Sequence, residues 1–179
     1  NYVELFSVIE NVNLSSETAP FLVPNMFVNY NESSAVVAKA RELAQGAANQ
    51  GDVVRNIYQW VVDNITYDHD KAAQLASATG YVPDPDATLA SGTGICFDYA
   101  SLGAAMLRSL GIPCQVITGY VSPDDVYHAW NMVYIDGEWI SVEISIKPNS
   151  WTRVDLTFAA SGAASTIGDG TSYTDRYTY

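Results

Sequence analysis

The stretch Gly92-Thr93-Gly94-Ile95-Cys96-Phe97-Asp98-Tyr99-Ala100-Ser101-Leu102-Gly103-Ala104-Ala105-Met106-Leu107-Arg108-Ser109-Leu110-Gly111-Ile112-Pro113 decides how this chain folds. Its first two glycines let the backbone bend tightly ahead of Cys96. Residues 96–110 read as a helix. Ala100, Leu102, Ala104, Ala105, Met106 and Leu107 make it apolar almost all round, so most of its faces must be buried. Gly111 closes the helix and Pro113 prevents its continuation.

Downstream the period changes. Residues 115–121 are rich in β-branched side chains and read as a strand. Ser122-Pro123-Asp124-Asp125 turns, and residues 127–135 form a second strand. Asp136-Gly137 is a two-residue hairpin signal leading into a third strand over 138–146. After the turn Lys147-Pro148-Asn149-Ser150, a fourth strand is expected over 151–158. Residues 159–171 are small and polar, and 173–179 carry tyrosines that can pack back on the core.

Upstream the pattern is helical. Asn31-Glu32-Ser33-Ser34 is a cap for a helix reaching about Gln45, with Gly46 closing it. Asp52 is expected to cap a second helix, which buries Val53, Ile57, Trp60, Val61 and Ile65. The Ala-rich run 71–78 reads as helical, while Gly80, Pro83 and Pro85 call for a loop before one turn anchored by Leu89. Helices therefore precede an antiparallel meander. The expectation is an α+β fold, with a buried, Cys-bearing helix packed on the sheet. One domain spans 1–179, with 1–30 as an N-terminal arm and 159–179 as a C-terminal tail.

Composition narrows the function classes. At 179 residues the chain can build a full core. A net charge of −12 with eight basic residues argues against nucleic acid, anionic membrane surfaces and a cationic phosphate pocket. No apolar run approaches the roughly 20 residues that span a bilayer, so no membrane insertion is expected. The start at Asn1 points to a processed N-terminus, behind a signal peptide or lipid anchor. Abundant Asn, Ser, Thr and Tyr fit a secreted or cell-surface bacterial protein. No paired Cys or His spacing suggests a metal, and no cofactor is implied. Of two cysteines, Cys114 reads as a core position, so no disulfide is expected.

Cys96 is different. A thiolate at a helix N-terminus faces the positive end of the dipole and is a candidate nucleophile. The helix-start N–H groups can receive an oxyanion formed on an attacked carbonyl. His128, in Tyr127-His128-Ala129-Trp130-Asn131, is the candidate general base and acid. His69, between Asp68 and Asp70, reads as solvated surface. Two carboxylates can orient the imidazole. The hairpin at Asp136-Gly137 pairs Ile135 with Glu138 and carries that register to Trp130 and Glu143, on the His128 face. The face of Asp155 depends on the length of the loop around Pro148, so strand geometry favours Glu143. Asp98 and Tyr99 are expected to support the site from one turn into the helix. Trp130 either shields the imidazole or belongs to the core, and Asn131 is expected on the other face of the sheet.

Across residues 57–158 these motifs resemble the transglutaminase-like superfamily. The resemblance rests on Trp60-Val61-Val62-Asp63-Asn64-Ile65-Thr66-Tyr67-Asp68, Gly94-Ile95-Cys96-Phe97-Asp98-Tyr99-Ala100, Leu110-Gly111-Ile112-Pro113, Gly119-Tyr120, His128-Ala129-Trp130-Asn131, and the Trp-x-x-x-Asp-x-Thr-Phe run ending at Phe158. It implies a papain-like core with Cys96 as nucleophile, His128 as base and an aspartate on a following strand. On residue type that aspartate is Asp155, although Leu156 stands where the family usually has proline. The function it implies is thiol-dependent acyl transfer on a peptide or protein amide. A secreted cysteine peptidase or amidase, with cell-wall peptide among its candidate substrates, is the leading form. The alternatives are a protein-glutamine transglutaminase and a non-catalytic surface-binding module that keeps the fold.

Overall fold

Helix formation follows the apolar spacing, and capping decides where each helix begins. The computed structural model describes residues 13, 16–76, 78–121, 126–141 and 173–179. After a 3₁₀ turn at Ala19–Phe21 come α1 (Ala35–Leu43) and α2 (Gln50–Asn64). Asn49, not Asp52, is the N-cap of α2: its side chain accepts the Asp52 N–H at 2.9 Å. Asp52 sits one turn inside and accepts from the Ala48 N–H at 3.2 Å. The two residues thus satisfy donors on either side of the helix start, so the amide cap displaces the expected carboxylate one. Val54, Ile57, Tyr58 and Val61 form the buried face.

The stretch after α2 is more ordered than expected. α3 runs His69–Leu75, with Asp68 capping the Lys71 N–H at 2.8 Å. Pro85 does not sit in a loop; it opens α4 (Pro85–Ser91), with Asp84 as N-cap. Proline is favoured there because a first-turn N–H has no helical acceptor in any case. Gly92 ends α4 at φ +67°, a conformation glycine adopts without penalty. Strands β1 (Thr66–Tyr67) and β2 (Thr93–Gly94) then pair in parallel and lead into α5 (Cys96–Ser109).

α5 is the centre of the molecule. Leu102, Ala104, Ala105, Met106 and Leu107 are completely buried. Helices α1, α2 and α4 pack on it, and so do the strands β3 (Cys114–Val121) and β4 (Val126–Ile135). β4 turns through Asp136 and Gly137, both at positive φ, into β5 (Glu138–Ser141), with Ile135 opposite Glu138 and Met132 opposite Ser141. The tail returns as β6 (Tyr173–Thr178), antiparallel to β3, giving the order β5-β4-β3-β6.

One buried cation ties the segment at Val23 and the last residue, Tyr179, to this core. Arg108, 2% exposed in the last turn of α5, donates to the carbonyls of Cys114 (2.8 Å), Val23 (2.9 Å) and Tyr179 (2.8 Å). Burial lowers its pKa. Three carbonyl oxygens compensate the desolvated guanidinium, which presents donors in a fixed fork. Cys114 is completely buried and unpaired by disulfide, and burial pushes its thiol up to about 12.

Candidate active site

Cys96 is the first residue of α5 and is half-buried. The helix bonding begins with the Tyr99 N–H on the Ile95 carbonyl, so the N–H groups of Cys96 and Phe97 have no acceptor within the helix. Asp98 reaches back and accepts the Ile95 N–H at 2.8 Å. That contact requires Gly94, where a Cβ would come within 2.7 Å of the Asp98 Cβ.

Asp98 is wholly buried and triply bound. Besides Ile95, it accepts from the Lys71 ammonium at 2.7 Å and, through its other oxygen, from the Tyr81 hydroxyl. Burial works against the Lys71 charge, but the hydrogen bonds to Asp98 and Tyr81 outweigh it and its pKa is raised. Burial, then the bond to Asp98, pushes the Tyr81 hydroxyl up to about 12. Tyr99, 1% exposed, donates to the Ile65 carbonyl at 2.7 Å and holds α5 against the end of α2. Asp98 and Tyr99 thus fix the start of α5, and Lys71 and Tyr81, which carry no signal in the sequence, join them.

His128 lies on β4, opposite Gly119 of β3, and is 4% exposed. Trp130 shares its face, the two rings stacked at 6.4 Å and 25°. The alternate residues Ala129, Asn131 and Val133 face the helices. Asn131 is on the opposite side of the sheet from His128, as expected, but it is far from idle. Its amide donates to the carbonyls of Ala100 and Gln115, both at 3.0 Å, and accepts from the Tyr58 hydroxyl at 2.7 Å.

A cleft of about 480 Å³ joins these elements. Cys96 and His128 both line it, one from the start of α5 and the other from β4. Its remaining wall comes from the end of α3, the segment through Tyr81, the Thr118–Ala129 rung and Tyr179. His69 lies on the exposed surface with its ring against Tyr67 at 4.9 Å. Glu143 and Asp155 lie outside the described residues, as do residues 142–158 on which the far end of the third strand and all of the fourth were expected. Among the described residues no group of three or more His, Cys, Asp or Glu side chains could hold a metal ion.

Besides Lys71 and Tyr81, the bonding of two polar side chains at apolar positions escapes a reading of the sequence. Asn131 occupies a helix-facing position between Ala129 and Val133, and Arg108 interrupts an otherwise apolar helix. Such residues persist in a core only with partners, and that was the available signal.

Residues 37–144 match the family described as the transglutaminase-like superfamily. The chain belongs to that family. It is 33% identical over 120 residues to cytokinesis protein 3 of Schizosaccharomyces pombe, covering 59% of this chain and 12% of that protein. It is 31% identical over 112 residues to the kyphoscoliosis peptidase of Mus musculus, covering 57% and 16%. This chain thus spans a small part of either relative. A crystal structure of a candidate cysteine protease from Cytophaga hutchinsonii superimposes with a TM-score of 0.64 at 22% identity, over 93% of this chain and 48% of that one. The α+β fold, with a Cys-bearing helix on an antiparallel sheet around a papain-like core, agrees with these matches.

Proposed function

We propose that this chain is an enzyme of thiol-dependent acyl transfer, hydrolysing amide bonds of peptides or proteins. The observation that carries the reading is that Cys96, at the start of a helix, and His128, on the adjoining sheet, line one cleft. His128 takes the thiol proton and the Cys96 sulfur attacks the amide carbonyl carbon, forming a C–S bond. The N–H groups at the start of α5 are placed to receive the oxyanion. The C–N bond breaks as the imidazolium returns the proton to the leaving nitrogen. Water then attacks the thioester, gives its proton to His128, and the C–S bond breaks to release the acid and restore Cys96.

A carboxylate is needed to hold the imidazole. Residue type and the Thr157-Phe158 run favour Asp155. Two other considerations favour Glu143. The β4–β5 register runs from Ile135/Glu138 to Met132/Ser141, as the hairpin reading required, and Glu143 follows two residues along the chain. The family match ends at residue 144, so it includes Glu143 and stops short of Asp155. Glu143 is the better supported of the two. The single-domain reading over 1–179 and an extracellular or cell-surface location complete the proposal. Among the described residues no helix is long and apolar enough to cross a membrane.

The test is alkylation of Cys96 by iodoacetamide at pH 6, with cleavage of a peptide library. Faster alkylation than a free thiol, slowed by His128→Ala, is expected. Glu143→Gln should reduce cleavage by two or more orders of magnitude and Asp155→Asn much less. Equal alkylation rates for wild type and His128→Ala would refute the thiol–imidazole pair. Incorporation of an amine donor in place of hydrolysis would assign the transglutaminase reaction instead.

A further inference from the structure

The cleft wall has a chemistry of its own. Six aromatic rings line it: Phe27, Tyr67, Tyr81, Phe97, Tyr127 and Tyr179. Among the described residues no Asp, Glu, Lys or Arg does so. Two of the tyrosines spend their hydroxyls elsewhere. Tyr81 donates to Asp98, and Tyr127 donates to Thr118 Oγ1 at 2.9 Å. What they have left to offer a ligand is the ring.

The rings are also braced. Phe27 packs on Tyr179 at 4.4 Å and on Phe97 at 5.5 Å, and its carbonyl accepts the Ser101 hydroxyl of α5 at 2.5 Å. Tyr81 is fixed through Asp98 to the same helix that carries Cys96. A prearranged aromatic wall needs little reordering to receive a planar or bulky apolar group.

Charge points the same way. The chain carries −12 overall, which disfavours an acidic group in a cleft whose described wall holds no Lys or Arg. A lysine or arginine side chain would find no carboxylate on the described wall and would lose its hydration there. A volume of about 480 Å³ accommodates a large side chain together with the peptide group that bears it.

We propose that the cleft beside Cys96 selects peptides with a large uncharged side chain, aromatic above all, next to the amide under attack. The proposal rests on the acyl-transfer reading for the identity of the reacting bond, but its binding component can be measured without turnover.

Two measurements separate the two ideas. The first is protection of Cys96 from iodoacetamide by N-acetyl-phenylalanine amide, N-acetyl-alanine amide and N-acetyl-aspartic acid α-amide, read by mass spectrometry. The concentration that halves the alkylation rate should be roughly tenfold lower for the phenylalanine compound than for the other two, as one extra ring contact of about 1.4 kcal/mol would give. The second is cleavage of matched peptides with Phe, Ala or Asp at that position, where kcat/KM should favour Phe by roughly tenfold or more. Ala76→Arg places a cation on the exposed rim of the cleft, and should shrink the Phe-over-Asp preference at least about threefold in both assays. Selective protection without turnover supports the binding preference and refutes the hydrolytic reading. Turnover with equal rates for Phe, Ala and Asp overturns the preference and leaves hydrolysis standing. Equal protection by all three amides overturns the preference whether or not cleavage occurs.

Discussion

The side-chain amide of Asn131 donates to the main-chain carbonyl of Ala100 at 3.0 Å, deep inside the molecule. Ala100 lies one turn beyond Cys96 in α5, and Asn131 lies three residues beyond His128 in β4. This bond therefore sets how far the helix that carries Cys96 slides along the strand that carries His128. The same amide also grips Gln115 of β3 and Tyr58 of α2. One side chain thus references the helix layer, two strands and the cleft to a common point. Gly103 makes the approach possible, since a Cβ there would stand 3.3 Å from both Asn131 Oδ1 and the Tyr58 hydroxyl.

Replacing Asn131 by alanine removes the acceptor of the Tyr58 hydroxyl and opens a hole between α5 and β4. A loss of about 2–4 kcal/mol is expected, from unsatisfied buried groups and the cavity together. Tyr58→Phe removes one partner only and should cost about 1–3 kcal/mol. Urea midpoints at constant slope measure both. If Asn131→Ala proves as stable as the parent, the three hydrogen bonds do not hold the layers together.

Asp98 is a charge wholly removed from water, so its partners matter more than surface ions do. Lys71 is itself 32% exposed, which lets solvent screen part of the interaction. Lys71→Met should therefore cost about 1–3 kcal/mol, below the range for a fully buried pair. Asp98→Asn should be milder in Lys71→Met than in the parent, because no ammonium is then left to lose its carboxylate partner. A double-mutant cycle reads the coupling directly. A coupling of zero would mean that Ile95 and Tyr81 satisfy the carboxylate without the cation.

How much of this was legible follows from where the signals are local. The span of α5 was readable because a run that is apolar all round can only be a buried helix. The Asp136-Gly137 hairpin was readable because both residues must take positive φ, and its register then followed by counting. The cap of α2 was misassigned because Asn49 and Asp52 are both good caps, and only geometry decides which accepts first. Only one turn around Leu89 is expected where α4 runs Pro85–Ser91, because proline is equally a breaker and an opener of helices. The bonds of Asn131 to Ala100 and of Lys71 to Asp98 join residues far apart in sequence, and no periodicity encodes such pairs. Cys96 and His128 stand in legible motifs and both line the cleft, whereas the Tyr81 part of its wall comes from a segment whose composition carries no chemical signal.

Gly119 faces His128 across the β3–β4 ladder and is crowded from the other side. A Cβ there would lie 2.0 Å from the Thr174 carbonyl oxygen and 2.9 Å from the Trp130 ring. Backbone cannot give way as a flexible side chain can, so Gly119→Ala must push β6 off β3. A destabilisation of about 2–4 kcal/mol is expected, with faster amide exchange confined first to residues 173–178. Unchanged exchange in that strand would contradict the packing.

The Tyr81 hydroxyl gives the molecule an alkaline limit whose sign is fixed. Its pKa in the folded chain is pushed up from 10.0 to about 12, by burial first and by the bond to Asp98 second. The folded state therefore holds a proton that the unfolded chain releases. The associated stability is complete below about pH 10 and is lost as pH rises towards 12. Lys71 has a raised pKa as well and acts in the same direction. Tyr81→Phe keeps the ring but has no proton to lose, so it should be less stable than the parent at pH 8, with the gap narrowed by roughly half at pH 11 and closing towards pH 12. Urea midpoints of the two proteins across that range check this. A constant gap would show that the Tyr81 hydroxyl does not titrate with unfolding.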